Sequence, residues 1–287
     1  MVLPEQDGMR LRDVLRRVMG VSYTAMKSAK WNGGITVDGV VTPVDAFMRA
    51  GQVVAIRFRE NAPVYAVKPY DLPLTIAHED DWLFVIDKPA PLASQSSALH
   101  PDDTLENALY AHLCCPTDFV YRPVNRLDKG TSGLMIVAKD AHIQHRLQAL
   151  LHTPEFIRTY QAVVEGCPDD DCGVIDAPIG KEDAASIRRI VTPSGKPSVT
   201  HYRVLKRGKT RTLVELTLET GRTHQIRVHM ASIGCPVVGD FLYGTEIPQL
   251  PGRFALHASA LTLHHPMTGD WLSLTSPLPA SLATLLD

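Results

Sequence analysis

NRLDKGTSGLMIVA, residues 125–138, runs from a polar turn straight into an apolar stretch. Gly130 and Gly133 free the backbone to turn tightly, and the apolar run 134–138 has the length of a buried strand. The turn's single carboxylate, Asp128, is therefore expected on a loop at the strand's entrance. A plainer role stays open at this point, since Asp128 and Thr131 both carry side chains that cap turns. GTSG lacks the GxSxG spacing of a nucleophile elbow, so Ser132 does not read as a hydrolase serine.

Outward from this stretch, short strands alternate with turns and few helices intervene. WLFVID (82–87) reads as a buried strand leading into Lys88-Pro89, and FIRTYQAVVEG (156–166), SVTHYRVLKRG (198–208) and RTLVELTLETG (211–221) read as further strands. DAHIQHRLQALL (140–151) reads as a helix with Ile143, Leu147, Leu150 and Leu151 on one side. HQIRVHMASIG (224–234) reads as another, capped near Thr220 or Thr223. Neither a regular βαβ repeat nor a glycine-rich phosphate loop occurs, which argues against Rossmann and P-loop enzymes. The predicted fold is α+β, with a mixed, mostly antiparallel sheet over residues 75–287.

The first sixty residues differ in charge and pattern. Between Gly8 and Glu60, Arg10, Arg12, Arg16, Arg17, Lys27, Lys30, Arg49, Arg57 and Arg59 face Asp13, Asp38, Asp45 and Glu60. The segment is net +5 in a chain of net −2, which suggests an anionic partner such as nucleic acid. Leu11, Val14, Leu15 and Val18 recur at helical spacing, Gly20 ends that helix, and Ser22 is placed to cap a second one running to Lys30. ITVDGVV then reads as a hairpin turning at Asp38-Gly39, with QVVAIRF as a further strand. Residues 61–74, NAPVYAVKPYDLPL, hold three prolines and no period, and read as a linker.

Length and composition set the bounds. At 287 residues, 45% hydrophobic and 21% charged, the chain suits one large domain with a small appendage, or two domains. Its apolar runs are far shorter than the roughly 20 residues that span a bilayer, and MVLPEQDGMR has no export-signal character. Cys114, Cys115, Cys167, Cys172 and Cys235 form no CxxC pair, and His224 and His229 stand off the spacing that puts two ligands on one helical face. A cytoplasmic monomer without metal, cofactor or membrane contact is expected.

Two more stretches carry chemistry. In ETGRTHQIRVHM (219–230), Arg222 and Arg227 flank a helix start, and in FIRTYQAVVEG, Tyr160 is one hydroxyl-bearing ring in an ordinary strand. Together RLDKGTSGL, RTYQAVVEG and GRTHQIRVHM resemble the catalytic, tyrosine and arginine motifs of the RluA-type pseudouridine synthases. VIDKPAP, SGKPSVTHYRVL, GDFLYG and LHASALTLHHP follow the family's order, so the resemblance spans roughly residues 75–277. Residues 1–60 resemble the small S-four-like RNA-binding domain that often accompanies this family.

The resemblance implies an enzyme that isomerises uridine to pseudouridine in structured RNA, ribosomal or transfer, with RNA as its partner. It implies Asp128 as the catalytic aspartate, Tyr160 as the ring that stacks on the uracil, and Arg227 as the aspartate's partner. Arg126, thought to help displace the target base, is expected to bind substrate, with Thr131 and Lys88. Where Asn125 and Pro91 stand, the family usually has His and Gly, which bears on local RNA contacts. The alternatives are an RNA-binding maturation factor without catalysis and a nucleoside hydrolase built around Asp128.

Overall fold

The computed structural model describes residues 1–58, 66–151, 153–183 and 186–286. At its N-terminus Leu11, Val14 and Leu15 are buried at helical spacing, but the helix is not regular. α1 (Leu11–Asp13) passes into a π-helical turn, Val14–Val18, closed by Met19 N–H to Val14 O. The wider turn rotates Val18 off the apolar stripe, leaving it exposed where the sequence predicts it inside. Ser22 caps α2 (Tyr23–Trp31) by accepting the Ala25 amide, as predicted. β1 (Ile35–Val37), β2 (Val40–Val41) and β3 (Val54–Ile56) form a small antiparallel sheet whose hairpin turns at Asp38-Gly39, both with positive φ. These elements share an apolar cluster of their own, from Val2 to Met48.

The boundary expected at residue 60 and the first linker residues, 61–65, lie outside the described residues. From Val67 onward the segment packs against the body: Val67, Tyr70, Leu72 and Leu74 touch the main core, and the Asn107 amide donates to Lys68 O at 2.8 Å.

The chain then lays down β4 (Thr75–Glu79), β5 (Leu83–Lys88), α3 (Leu105–His112), β6 (Ser132–Ala138), α4 (Ala141–Leu150), β7 (Phe156–Glu165), β8 (Cys172–Asp176) and the small hairpin β9 (Ile179–Lys181) and β10 (Arg189–Val191). β11 (Val199–Arg207), β12 (Arg211–Leu218), α5 (Gln225–Ser232), β13 (Leu256–His264), β14 (Trp271–Thr275) and α6 (Ala280–Ala283) follow. Among the described residues nine strands join in the order β4-β5-β6-β13-β7-β12-β11-β8, with β14 on β13. Every pairing in this sheet is antiparallel except β6 with β13. The α+β reading is thus correct.

The unbroken apolar run of β6 has a direct cause. Met135 and Val137 join the core with Leu105, Leu109, Ile226 and Met230, while Leu134 and Ile136 join the opposite face with Ile143 and Leu147 of α4. A strand covered on both faces cannot alternate. Gly133, at φ +108°, lies where β6 meets β13, and a Cβ there would overlap the Ala258 backbone. Gly130 is required for another reason: a Cβ would come within 2.6 Å of the Phe254 ring. These two contacts press the Asp128 loop onto β13 and the segment preceding it.

Candidate active site

Asp128 lies on the loop before β6, about 30% exposed, and its Oδ2 accepts Nη1 of Arg227 at 3.0 Å. Arg227 projects from α5 and is almost wholly buried. Its other two nitrogens donate to Asp240: Nε to Oδ2 at 2.6 Å and Nη2 to Oδ1 at 2.8 Å. Asp240 is fully buried and also accepts the amides of Leu242 and Tyr243. One guanidinium thus bridges a buried carboxylate and an accessible one, the fork geometry that only arginine supplies. Its carbon sits 4.2 Å from the Phe254 ring centroid, with Tyr243 at 5.0 Å. Burial works against the Arg227 charge, but Asp240 and Asp128 outweigh it and hold the pKa above its ordinary value.

The Asp128 end of this ion chain lines a cleft of about 940 Å³, together with Arg126, Lys129, Tyr160, Arg222 and His224, among others. A smaller pocket below it, lined by Asp128, Thr131, Tyr160, His224 and Arg227, reaches the guanidinium. Tyr160, on β7 opposite Leu216, is 6% exposed. Burial pushes its phenol up, Arg158 opposes that and Asp128 adds to it, so Tyr160 stays a neutral phenol across physiological pH. The arrangement offers a flat ring and a carboxylate on a shared wall, with access from solvent.

The family model for RNA pseudouridylate synthases matches residues 82–232. The chain belongs to the RluA-type pseudouridine synthases. It is 39% identical over 302 residues to the ribosomal large subunit pseudouridine synthase D of Pseudomonas aeruginosa, covering 98% of this chain and 92% of that protein. It is 36% identical to the protein of the same name from Xanthomonas campestris, covering 99% and 90%, and 35% identical to an uncharacterized RNA pseudouridine synthase of Bacillus subtilis, covering 93% and 95%. Among solved structures, human RNA pseudouridylate synthase domain containing 1 superposes with a TM-score of 0.61 at 26% identity, covering 73% of this chain and 86% of that one. The chain is accordingly an enzyme, a pseudouridine synthase.

In this synthase the residues singled out from sequence do not all share one place. Asp128, Tyr160, Arg227, Arg126 and Thr131 line the smaller pocket. Lys88 does not line either cleft. It is wholly buried at the end of β5, and its ammonium nitrogen donates to the carbonyls of Leu92 at 2.7 Å and Pro89 at 3.0 Å, tying down the loop that contains Pro91. Asn125 is also an internal tie, its Oδ1 accepting the Ile136 amide at 3.0 Å. α5 starts later than either predicted cap: His224 is the N-cap, at φ +59°, and Gln225 folds back to accept the Arg222 amide and the Thr220 hydroxyl.

Three residues were missed. Asp240 and Tyr243 lie in GDFLYG, a stretch that the resemblance includes but that no period or charge pattern ties to the site. His224 was weighed only as a metal ligand. It stands with Nε2 3.9 Å from Asp128 Oδ2 and Nδ1 2.9 Å from the Tyr243 hydroxyl. That hydroxyl accepts the Arg189 amide at 2.9 Å, so its proton is free to go to Nδ1, leaving the imidazole proton on Nε2 toward the cleft. Burial, countered in part by Asp128, keeps the imidazole below its ordinary pKa and therefore neutral. No group of three or more His, Cys, Asp or Glu among the described residues is arranged to hold a metal ion, and no helix there is long and apolar enough to cross a membrane.

Burial of Lys88 carries a stability prediction. Burial lowers its pKa to about 7, against the pull of Asp128 and with help from Arg253. Between that value and the ordinary lysine value the unfolded chain binds more protons, so stability should rise with pH from 7 toward 10 and bear the full cost below 7. The slope owed to this one group is at most about 1.4 kcal/mol per pH unit. Urea midpoints measured from pH 6 to 10 should rise more steeply for the wild type than for Lys88→Met; parallel curves would show that Lys88 does not titrate in this window.

Proposed function

We propose that this synthase converts uridine to pseudouridine in structured RNA, with Asp128 as the catalytic carboxylate, Tyr160 as the platform for the uracil and Arg227 as the charged partner that holds Asp128 in place. The names of its relatives favour ribosomal RNA over transfer RNA as the substrate. The observation that carries the reading is the Asp240–Arg227–Asp128 chain ending at a cleft wall beside Tyr160.

The chemistry needs little more. The bond from N1 to C1′ breaks, a bond from C5 to C1′ forms, C5 loses a proton and N1 gains one. An ionised carboxylate serves attack on the sugar, attack on the ring, or proton removal leading to a glycal. The Arg227 guanidinium 3.0 Å away pairs with Asp128 and fixes its position at the cleft wall. The nucleotide must leave its stack to reach the cleft, a cost of a few kcal/mol that stacking on Tyr160, about 1 to 3 kcal/mol, offsets. Stacking also tolerates rotation of the freed ring. Arg126, exposed at the cleft rim, is placed to fill the space the base vacates. As a neutral phenol, Tyr160 acts as platform and hydrogen-bonding group, without phenolate chemistry.

The N-terminal module supports RNA as the partner. Arg12, Arg16, Arg17, Lys27, Lys30, Arg49 and Arg57 are exposed, and exposed rings stand beside cations: Phe47 under Arg10 at 5.3 Å, Tyr23 under Arg16 at 6.0 Å and Trp31 by Lys30 at 6.0 Å. Cations for phosphates with rings for bases is the composition of a single-strand binding surface. Deleting residues 1–60 should weaken RNA affinity and flatten its salt dependence by about 0.7 to 0.9 log units per lost phosphate contact. An unchanged salt slope would assign the module another partner.

The reading as a whole is tested with unmodified transcripts of large-subunit ribosomal RNA and transfer RNA carrying uridine tritiated at C5. Tritium release with pseudouridine in the digested product is expected. Released uracil would mean a nucleosidase, and tight binding without either product would mean a maturation factor without catalysis.

A further inference from the structure

His224 stands at the cleft with a side chain that the fold does not use. It opens α5 with φ +59° and ψ +19°, a left-handed backbone that a histidine enters only at a cost. The residue at that place normally caps its helix, yet no side-chain cap bond forms here, so the ring is not spent on α5. Its Nδ1 lies 2.9 Å from the Tyr243 hydroxyl, whose oxygen accepts the Arg189 amide at 2.9 Å. With that amide on its oxygen the hydroxyl donates to Nδ1, and the imidazole keeps its own proton on Nε2. Nε2 faces Asp128 Oδ2 across 3.9 Å, too far for a hydrogen bond, and both residues line the main cleft and the smaller pocket. Among the described residues the Asp128 carboxylate makes one hydrogen bond, to Nη1 of Arg227, so it can accept more.

A donor and an acceptor thus stand on either side of a gap that one oxygen can bridge, and chemistry selects the oxygen. The bridging atom must accept from Nε2–H and donate to the carboxylate. The oxygens of uracil and of phosphate only accept, so at that place they would set lone pair against lone pair at Asp128. The uracil N3–H only donates. A hydroxyl does both, and inside a strand the 3′ and 5′ oxygens of a nucleotide are esterified, which leaves the 2′-hydroxyl.

We propose that His224 and Asp128 together hold the 2′-hydroxyl of the reacting nucleotide, His224 donating to its oxygen and Asp128 accepting its hydrogen. The inference rests on RNA being the substrate, as proposed above. C2′ adjoins C1′, the atom that exchanges N1 for C5, so the contact brings the sugar to Asp128 whichever route the carboxylate takes. It also lets the site tell ribose from deoxyribose, which contacts to base or phosphate do not. Burial, opposed by Asp128, holds the imidazole below its ordinary pKa, in the neutral form that has one N–H to give.

The test uses the full-length protein and oligonucleotides with the sequence around a uridine that the wild type converts. They carry pseudouridine at that place, with or without its 2′-hydroxyl, so that nothing turns over while affinity is measured. His224→Asn keeps a residue at ease in the left-handed region and an amide within reach of the Tyr243 hydroxyl, but removes the N–H that faces Asp128. His224→Phe keeps the bulk of a ring without a donor, and the comparison stands on either variant if the other fails to fold. The wild type should bind the ribose form about tenfold more tightly than the deoxyribose form, the scale of a hydrogen bond lost in a largely desolvated site. Each variant should lose most of that preference while binding the deoxyribose form within roughly twofold of the wild type. A variant that weakens both forms equally overturns the contact and makes His224 part of the fold. A wild type that binds both forms alike overturns it too, as does a variant that keeps the full preference. If the wild type forms no pseudouridine in any uridine-containing transcript, the enzymatic reading fails instead, a result distinct from all of these.

Discussion

Asp128→Asn should lower pseudouridine formation on the order of 10⁴-fold or more, the scale on which loss of an ionised catalytic group is felt. The protein should keep its fold and its RNA affinity within a few fold. Both parts follow from position. Asp128 sits at a cleft wall with 30% of its side chain exposed, and its ion pair to Arg227 is one of three bonds that hold the guanidinium. Arg227 stays anchored by Asp240 in the variant, so the melting temperature should shift little. The phosphate contacts proposed for the N-terminal module and the cleft rim would remain. An amide can accept from Nη1, so the geometry survives while the negative charge does not. Tritium release and product digestion measure the rate, and filter binding the affinity. Asp128→Ala run in parallel guards against deamidation restoring the carboxylate. Turnover above a trace in both variants would remove Asp128 from the chemistry.

Asp128 was legible in the sequence, while what holds it in place was not. RLDKGTSGL reads as a turn before a strand because its glycines and the apolar run are local signals, and the buried β6 follows from the run alone. Asp128 and Arg227 are 99 residues apart, and Arg227 and Asp240 belong to different stretches that nothing local connects. Their meeting depends on α5 packing against β10 and β11 and into the main core, a tertiary fact. Lys88 shows the converse error. A lysine next to a motif reads as a substrate contact, yet its fully buried ammonium is spent on two loop carbonyls. The first helix fails for a third reason: one extra residue per turn at Val14–Val18 breaks the period on which the reading of Val18 depended. Gly130 was read rightly as required but for the wrong cause, since the Phe254 ring, not a positive φ, excludes a side chain there.

The buried half of the ion chain gives the prediction that bears on stability as well as rate. Arg227→Ala should cost about 3 to 5 kcal/mol of folding stability, the range for breaking a buried pair by removing one partner. Asp240, with no exposed surface, would keep only the amides of Leu242 and Tyr243. Turnover should fall by roughly 10² to 10³, as for the loss of one preorganised electrostatic group, because Asp128 loses the guanidinium that pairs with it at 3.0 Å and fixes its position. The two losses can be separated. Asp240→Asn keeps Arg227 and its carbon skeleton but removes the charge that fixes it, so it should lose stability and turnover in smaller measure, with part of the fork still bonded. Arg227→Lys restores one cation, yet an ammonium at the end of a flexible stem cannot bond both oxygens of Asp240 and reach Asp128 at once. It should recover more of the stability than of the rate. Urea unfolding, with single-turnover rates on the same preparations, checks each step. Equal rates in wild type, Arg227→Ala and Arg227→Lys would mean that Asp128 needs no counter-charge, and the chain from Asp240 would then serve the fold alone.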